Sequence, residues 1–371
     1  MSLLHEKHEK FFNRCLIALP AQAASEDSNK LAIIYFSLHG LQLLNKFNFT
    51  QQELKYHEKF IWDSFFIERN EYVTFRSTMY FQESGELFDS GDLSACLFAL
   101  YSLMILKSDF KRLNWQKLFN FLVKCQIKQG SNKGGFLQTS NETDLESDFA
   151  QADIRQCYMA LVIRQLLLDK TELKSDIDKN SLTDFILKRL NHNGGFGSQV
   201  FDEPHLGYTF CAIASLKLLG FPVDNLEQTK NWLVHRQVSY PEVLYPVMKD
   251  YAFHRNIDTG GFNGRENKLS DTCYSWWCSG SLYLLNQDNL KLINVELAEE
   301  FLLEKTQNTI MGGFSSVPDG TPDPMHTYLA LASLSLWNCE KYKLDEIDAL
   351  FTISKRLRHY RAERDSVVIS Y

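Results

Sequence analysis

Residues 264–277 read GRENKLSDTCYSWW. The stretch holds two cations, two carboxylates, a thiol, a phenol and two indoles, just where an aromatic-rich apolar segment begins. A solvated loop has no use for the thiol and the indoles. A core helix does not favour Arg265, Lys268, Asp271 and Cys273 at its mouth. Two chemistries are on offer. Asp271 and Cys273, joined by His326, supply one oxygen, one sulfur and one nitrogen ligand. Catalytic zinc sites use three protein ligands and keep a fourth position open. Arg265, Lys268 and Tyr274, joined by His205, supply cationic and hydrogen-bonding groups for an anion such as a diphosphate, and for the charge that grows as it leaves. Read singly, each residue has a plainer use. Cys273 fits a buried small apolar residue, His326 a capping or core histidine, and Arg265 and Lys268 a solvated loop paired with Glu266.

A repeat brings these residues to one place. Gly-Gly-Phe occurs at Gly134, Gly194, Gly260 and Gly312, with first glycines 60, 66 and 52 residues apart. Themes repeated on this scale indicate a stacked or closed array of helical units, and paired glycines mark tight loops. Each pair is followed by an apolar run of helical length: 153–168, 208–220, 271–285 and 326–337. A fifth run, 91–106, follows a degenerate loop, YVTFRS, at 72–77. These runs are apolar almost all round and should be buried; the segments between them, such as NWQKLFNFLVKCQIK and VELAEEFLLEKTQ, are amphipathic and should lie outside. Asp271 caps the third run, Asp323-Pro324 reads as an N-cap followed by proline at the first helical position, and Glu203-Pro204 sets up a similar start. His205, Cys273 and His326 then fall 11, 13 and 14 residues after the first glycine of their repeats. If inner helices share one polarity around a barrel, their N-termini meet at one end and add positive potential and free N–H groups there. One closed array also favours a single domain over 1–371, with a flexible tail near 355–371.

Bulk composition agrees with this picture. The chain has 371 residues, 44% hydrophobic and 23% charged, with 27 phenylalanines and a net charge of −7. That is ordinary globular composition, and the acidic balance argues against nucleic acid as a partner. The eight cysteines include no C-x-x-C pair, which favours reduced thiols in an intracellular, cytoplasmic protein. The N-terminus does not read as a signal peptide, no apolar run is long enough for a membrane span, and no lipidation motif ends the chain.

GRENKLSDTCYSWW resembles the zinc and diphosphate motif of protein prenyltransferase β subunits. EPHLGYTFCAIASL (203–216) resembles that family's histidine segment and DPMHTYLALASLSL (323–336) its third zinc-ligand segment. KHEKFFNRCLIALP (7–20) resembles the opening of the type I geranylgeranyltransferase branch in particular, and the similarity runs from about residue 7 to 337. The resemblance implies an all-α fold, an α/α toroid of six inner and six outer helices, working as a heterodimer with a helical-repeat α subunit. It implies that Asp271, Cys273 and His326 bind one catalytic Zn2+, and that His205, Arg265, Lys268 and Tyr274 contact the isoprenoid diphosphate. Arg155 matches an arginine of the substrate cleft, and Trp277 an aromatic lining it for lipid and peptide. The implied reaction joins an isoprenoid to the cysteine of a C-terminal CaaX box, with leucine preferred as X, in proteins such as Rho-type small GTPases.

Within the family, farnesyltransferases close the lipid pocket with bulky aromatics at the places matching Ala32 and Leu329. The smaller residues here point to geranylgeranyl diphosphate as donor, with farnesyl diphosphate as the alternative. Farnesyltransferases also carry a magnesium-linked aspartate ten residues before the zinc histidine. This chain has Ser316 there, with Asp319 and Asp323 nearby, so Mg2+ is left open. The connection 238–259 is longer than the family's usual one and reads as tolerated surface. A terpene cyclase would share the toroid but lacks its acidic motif here, and a helical scaffold without activity would leave the shared register of His205, Cys273 and His326 unexplained. The tail KRLRHYRAERDS reads as a solvated terminal helix or tail rather than a nuclear signal.

Overall fold

The computed structural model describes residues 2–19, 21–80, 82, 89–140, 152–168, 170, 176–239 and 255–358. Most of the connection at 238–259 and the tail beyond 358 lie outside these residues. Among the described residues, twelve α-helices alternate between an outer and an inner layer. In chain order they are α1 (His5–Ile17), α2 (Lys30–Leu43), α3 (Gln51–Phe65), α4 (Leu93–Ile105), α5 (Trp115–Cys125) and α6 (Ile154–Leu168). The second half comprises α7 (Lys179–Leu187), α8 (Leu206–Leu218), α9 (Glu227–Val234), α10 (Thr272–Leu285), α11 (Val295–Glu300) and α12 (Pro324–Tyr342). The even-numbered helices pack side by side in sequence, and α12 returns to pack on α2, which closes the ring. This is the all-α toroid expected from the repeat, with six inner and six outer helices among the described residues. No described helix is long and apolar enough to cross a membrane. All eight cysteines are unpaired.

The repeat builds the ring in two ways. The phenylalanine of each unit holds the start of the next inner helix. The carbonyls of Phe136, Phe196 and Phe262 accept the N–H groups of Asp153, His205 and Asp271, and Phe314 pairs antiparallel with Asp323. Phe75 does the same for Asp92 from within YVTFRS. That segment is a strand rather than a loop, Val73–Phe75 (β2) pairing with Phe66–Glu68 (β1). The first glycine of each unit meets the start of an outer helix. At Gly312, φ is +76° and a Cβ would lie 2.2 Å from the Lys7 carbonyl of α1, so the last repeat is sealed onto the first helix. Gly134, Gly194 and Gly260 make the same approach to Ser181, Gln228 and Leu297.

Two expectations need correction. Helix α8 starts two residues later than Glu203-Pro204 suggests, with His205 as N-cap. The amphipathic segment VELAEEFLLEKTQ is α-helical only over α11 and continues as a π-helix, Phe301–Thr306.

After α12 the chain forms a hairpin of β3 (Ile347–Asp348) and β4 (Ile353–Ser354). It enters beside the C-terminal halves of α2 and α12. There the Asp345 N–H bonds the Leu43 carbonyl, and Ser335 bonds the Asp345 carbonyl and the Ile347 N–H. The basic residues Arg356 and Arg358, at the start of the charged tail, pair with Asp345 and Asp348 and so belong to this hairpin.

Candidate active site and metal centre

The starts of the inner helices share one rim, and three of them are tied to the loop before the next. The N–H of Leu93 bonds the Gln138 carbonyl, that of Leu206 the Gly264 carbonyl, and that of Thr272 the Ser316 carbonyl, at 2.8–2.9 Å. Five caps line up along this rim. Asp92, Asp153, Asp271 and Asp323 accept N–H groups of their own first turns through carboxylate oxygens, and His205 does so through Nδ1 at 3.0 Å. His205 therefore occupies a position that is aspartate in the other four of these units.

Asp271, Cys273 and His326 converge at the junction of α10 and α12. Their ligand atoms lie within 4.8 Å of one another. His326 Nε2 is 3.1 Å from Asp271 Oδ1, and its Nδ1 is 2.5 Å from Asp323 Oδ2. The Asp323 carboxylate thus fixes the ring so that Nε2 faces the cluster. A carboxylate behind a histidine in this way is the usual support of a metal-ligating imidazole. Charge balance points the same way. Burial works against a charged His326, yet hydrogen bonds with Asp271, Asp323 and Cys273 push its pKa up to about 12. Burial lifts the Cys273 thiol to about 12, with the His326 contact pulling it down. The carboxylates of Asp271 and Asp323 favour positive charge between them, and the oxygen, sulfur and nitrogen donors suit a borderline-soft divalent ion such as zinc.

A second group sits beside it. His205 Nε2 is 3.0 Å from the Tyr274 hydroxyl. Burial, then the charges of Arg265 and Arg155, pull the His205 pKa down to about 4. An anion bound here would reverse the effect of those arginines. Arg265 pairs with Glu203 at 2.9 Å, and Lys268 stands exposed in the same loop. Gly264 lets this assembly close, since a Cβ there would lie 2.1 Å from the Tyr274 ring. Arg155 pairs with Asp153 at 2.6 Å and lies 5.3 Å over the Tyr208 ring, which in turn meets His205 edge-on at 5.5 Å. Trp277 is half-buried and packs 5.0 Å from Phe210.

A cavity of about 1180 Å³ opens on this rim, lined by residues that include His326, Arg155, Ala32, Phe36 and Phe98. It exceeds the usual size of a small-molecule site, about 300–1,000 Å³, and so has room for more than one small ligand. Ala32 is on its wall. Leu329 is buried one turn beyond His326 and does not line it.

The sequence reading missed three roles. Asp323 was visible as a cap and as a carboxylate near Ser316 but not as the support of His326, Gly264 looked like any loop glycine, and Tyr208 carried no signal beyond its place in an apolar run.

The family profile described as "Prenyltransferase alpha-alpha toroid domain" matches residues 3–353. This chain belongs to that family. A geranylgeranyl transferase type-1 subunit beta from Dictyostelium discoideum is 31% identical over 375 residues, covering 95% of each chain. A protein farnesyltransferase subunit beta from Schizosaccharomyces pombe is 26% identical, covering 89% of this chain and 77% of the relative. A solved structure of Candida albicans protein geranylgeranyltransferase-I, complexed with GGPP, superposes with a TM-score of 0.92. It is 58% identical and covers 98% of this chain and 99% of that one. The prenyltransferase fold read from the motifs is therefore correct.

Proposed function

We propose that this chain is the catalytic β subunit of a zinc-dependent protein geranylgeranyltransferase type I. It transfers a geranylgeranyl group from geranylgeranyl diphosphate to the cysteine of a C-terminal CaaX box, X preferably leucine, in small GTPases of the Rho type. It works in the cytoplasm as a heterodimer with an α subunit. The observation that carries this reading is the convergence of Asp271, Cys273 and His326 beside the His205–Tyr274 pair, in a chain 58% identical to a geranylgeranyltransferase-I.

Asp271, Cys273 and His326 hold the zinc in this reading. Bound there, zinc would act as a Lewis acid that keeps the incoming cysteine as thiolate near neutral pH. The substrate thiol loses its proton to solvent. Its sulfur electron pair forms the bond to C1 of the allylic diphosphate as the C1–O bond breaks. The electrons of that bond leave with the diphosphate. His205, Arg265, Lys268 and Tyr274 orient the diphosphate and offset the charge growing on it. Arg155 and Trp277 border the space where lipid and peptide lie together. No side chain of this protein need act as a nucleophile. Asp323 is committed to His326, which leaves it a supporting role rather than a place for magnesium.

Asp323→Asn keeps the helix cap but removes the negative charge behind His326. Zinc affinity, measured by competition with a chelator, is expected to fall by about 10–100-fold. An unchanged affinity would remove Asp323 from the metal site.

The donor is assigned from Ala32. A small side chain on the cavity wall leaves length for twenty carbons in place of fifteen. Ala32→Trp in the heterodimer should shift a competition between the two labelled diphosphates toward farnesyl. An unchanged product ratio would contradict the role given to Ala32.

A further inference from the structure

The loop 263–270 carries Arg265 and Lys268, and it is braced as a solvated loop need not be. Its feet are paired, Asn263 with Ser270 in an antiparallel bridge. The Asn263 N–H bonds the Arg236 carbonyl at 2.9 Å, and the Gly264 carbonyl accepts the Leu206 N–H at 2.9 Å. Above the feet, two successive residues are gripped from different sides. Arg265 pairs with Glu203, just ahead of α8. Glu266 bonds toward outer helix α9 and the preceding Gly-Gly-Phe loop. One of its carboxylate oxygens accepts from Trp232 Nε1 at 3.0 Å and from Asn193 Nδ2 at 3.2 Å, with Arg236 Nη2 3.7 Å away. Asn267 then takes the left-handed conformation at φ +58°, so the chain turns between Glu266 and Lys268.

Arg236 is buried two residues past the end of α9, with its guanidinium 4.9 Å over the Trp232 ring. The repeat before it supplies a comparison. Arg189 is buried two residues past the end of α7 and lies 3.4 Å over the Phe185 ring. Its Nη2 is answered by amide oxygens, Asn132 Oδ1 at 2.9 Å and Gln199 Oε1 at 3.2 Å. A buried arginine at this place therefore belongs to the architecture of the repeat, and amides are enough to satisfy it. The later repeat answers with a carboxylate, and that carboxylate stands in sequence between the two cations of the loop. Charge-assisted bonds hold more strongly than neutral ones. Groups that stabilise a departing anion act best when they need not reorganise as its charge develops.

We propose that Glu266 is a positioning residue for prenyl transfer: held by Asn193, Trp232 and Arg236, it fixes the loop so that Arg265 and Lys268 meet the diphosphate already in place. This rests on the prenyl-transfer reading above. Pairing with Arg236 also offsets the repulsion between this carboxylate and the bound anion.

The test compares the wild-type heterodimer with Glu266→Ala and with Glu266→Gln, which keeps an oxygen for the same donors and loses only the charge. Inorganic diphosphate is the probe, titrated as an inhibitor of transfer. KM for geranylgeranyl diphosphate, KM for a peptide ending in a Cys-aliphatic-aliphatic-Leu box, and zinc content are measured alongside. In Glu266→Ala the inhibition constant of diphosphate and the donor KM are expected to rise about tenfold. In Glu266→Gln they should rise about threefold, the amide restoring part of the hold. Peptide KM and zinc content stay at wild-type values. That split separates a displaced loop from a loosened rim, which would move peptide and metal as well. If Glu266→Ala does not fold, Glu266→Gln decides alone. Unchanged donor-side constants in a folded variant, or equal shifts on the donor and peptide sides, overturn the positioning role and leave the enzyme reading of an active wild type standing. A wild-type heterodimer that transfers no lipid overturns that reading and this one with it.

Discussion

Cys273→Ala is expected to abolish stoichiometric zinc binding and to lower prenyl transfer by about a thousandfold or more, the equivalent of several kcal/mol of lost stabilisation. The sulfur is one of three donors that lie within 4.8 Å of one another. Without it, Asp271 and His326 remain, and they already hydrogen-bond each other at 3.1 Å. Two donors do not make a tetrahedral site with one open position. Cys273 is buried and small, so alanine fits its space and the fold should melt near the wild-type temperature. Elemental analysis of the purified heterodimer, read beside its melting curve, separates loss of metal from loss of structure. Full zinc occupancy in a folded Cys273→Ala protein would remove this thiol from the metal centre.

Gly312→Ala is expected to destabilise the fold by about 3 kcal/mol or more. Two penalties coincide there: φ is +76°, and the added Cβ would sit 2.2 Å from the Lys7 carbonyl. Backbone cannot rotate aside as a side chain can, so α1 must shift and the seal between the last repeat and the first helix opens. Gly220→Ala is the matched control. Its φ is +78°, but nothing lies within 4 Å of the added Cβ. Only the conformational penalty applies to it, about 1 kcal/mol. Chemical unfolding of the two variants should therefore give clearly different midpoints. Equal midpoints would mean that the close approach to α1 does not hold the ring together.

Much of the ring was legible because its cause is periodic. A Gly-Gly-Phe followed by an apolar run repeats in the chain, and the shared spacing placed His205, Cys273 and His326 on one rim before any contact was known. Helix α2 was harder to see as an inner member, since no Gly-Gly-Phe precedes it. The support for His326 was hidden because Asp323 does two jobs: one oxygen caps α12 and the other holds the ring. A cap motif reveals the first and is silent on the second. The hairpin over 347–354 was not legible at all. Its partners are tyrosine hydroxyls that find backbone carbonyls, and a backbone carbonyl has no residue type to recognise. The close seating of Tyr274 on its loop was hidden for a related reason, since Gly264 serves by lacking a side chain. The lipid-length argument divided between the two kinds of case. Ala32 lines the cavity, whereas Leu329 is packed away from it.

The most direct measurement is a transfer assay on the heterodimer, with labelled geranylgeranyl and farnesyl diphosphates in competition for a peptide ending in a Cys-aliphatic-aliphatic-Leu box, before and after zinc is removed by a chelator and restored. The account predicts mainly geranylgeranylated peptide, loss of transfer on chelation, and recovery when zinc returns. Transfer that persists at full rate in zinc-free protein, or no transfer of either lipid by an intact zinc-loaded heterodimer, would contradict it.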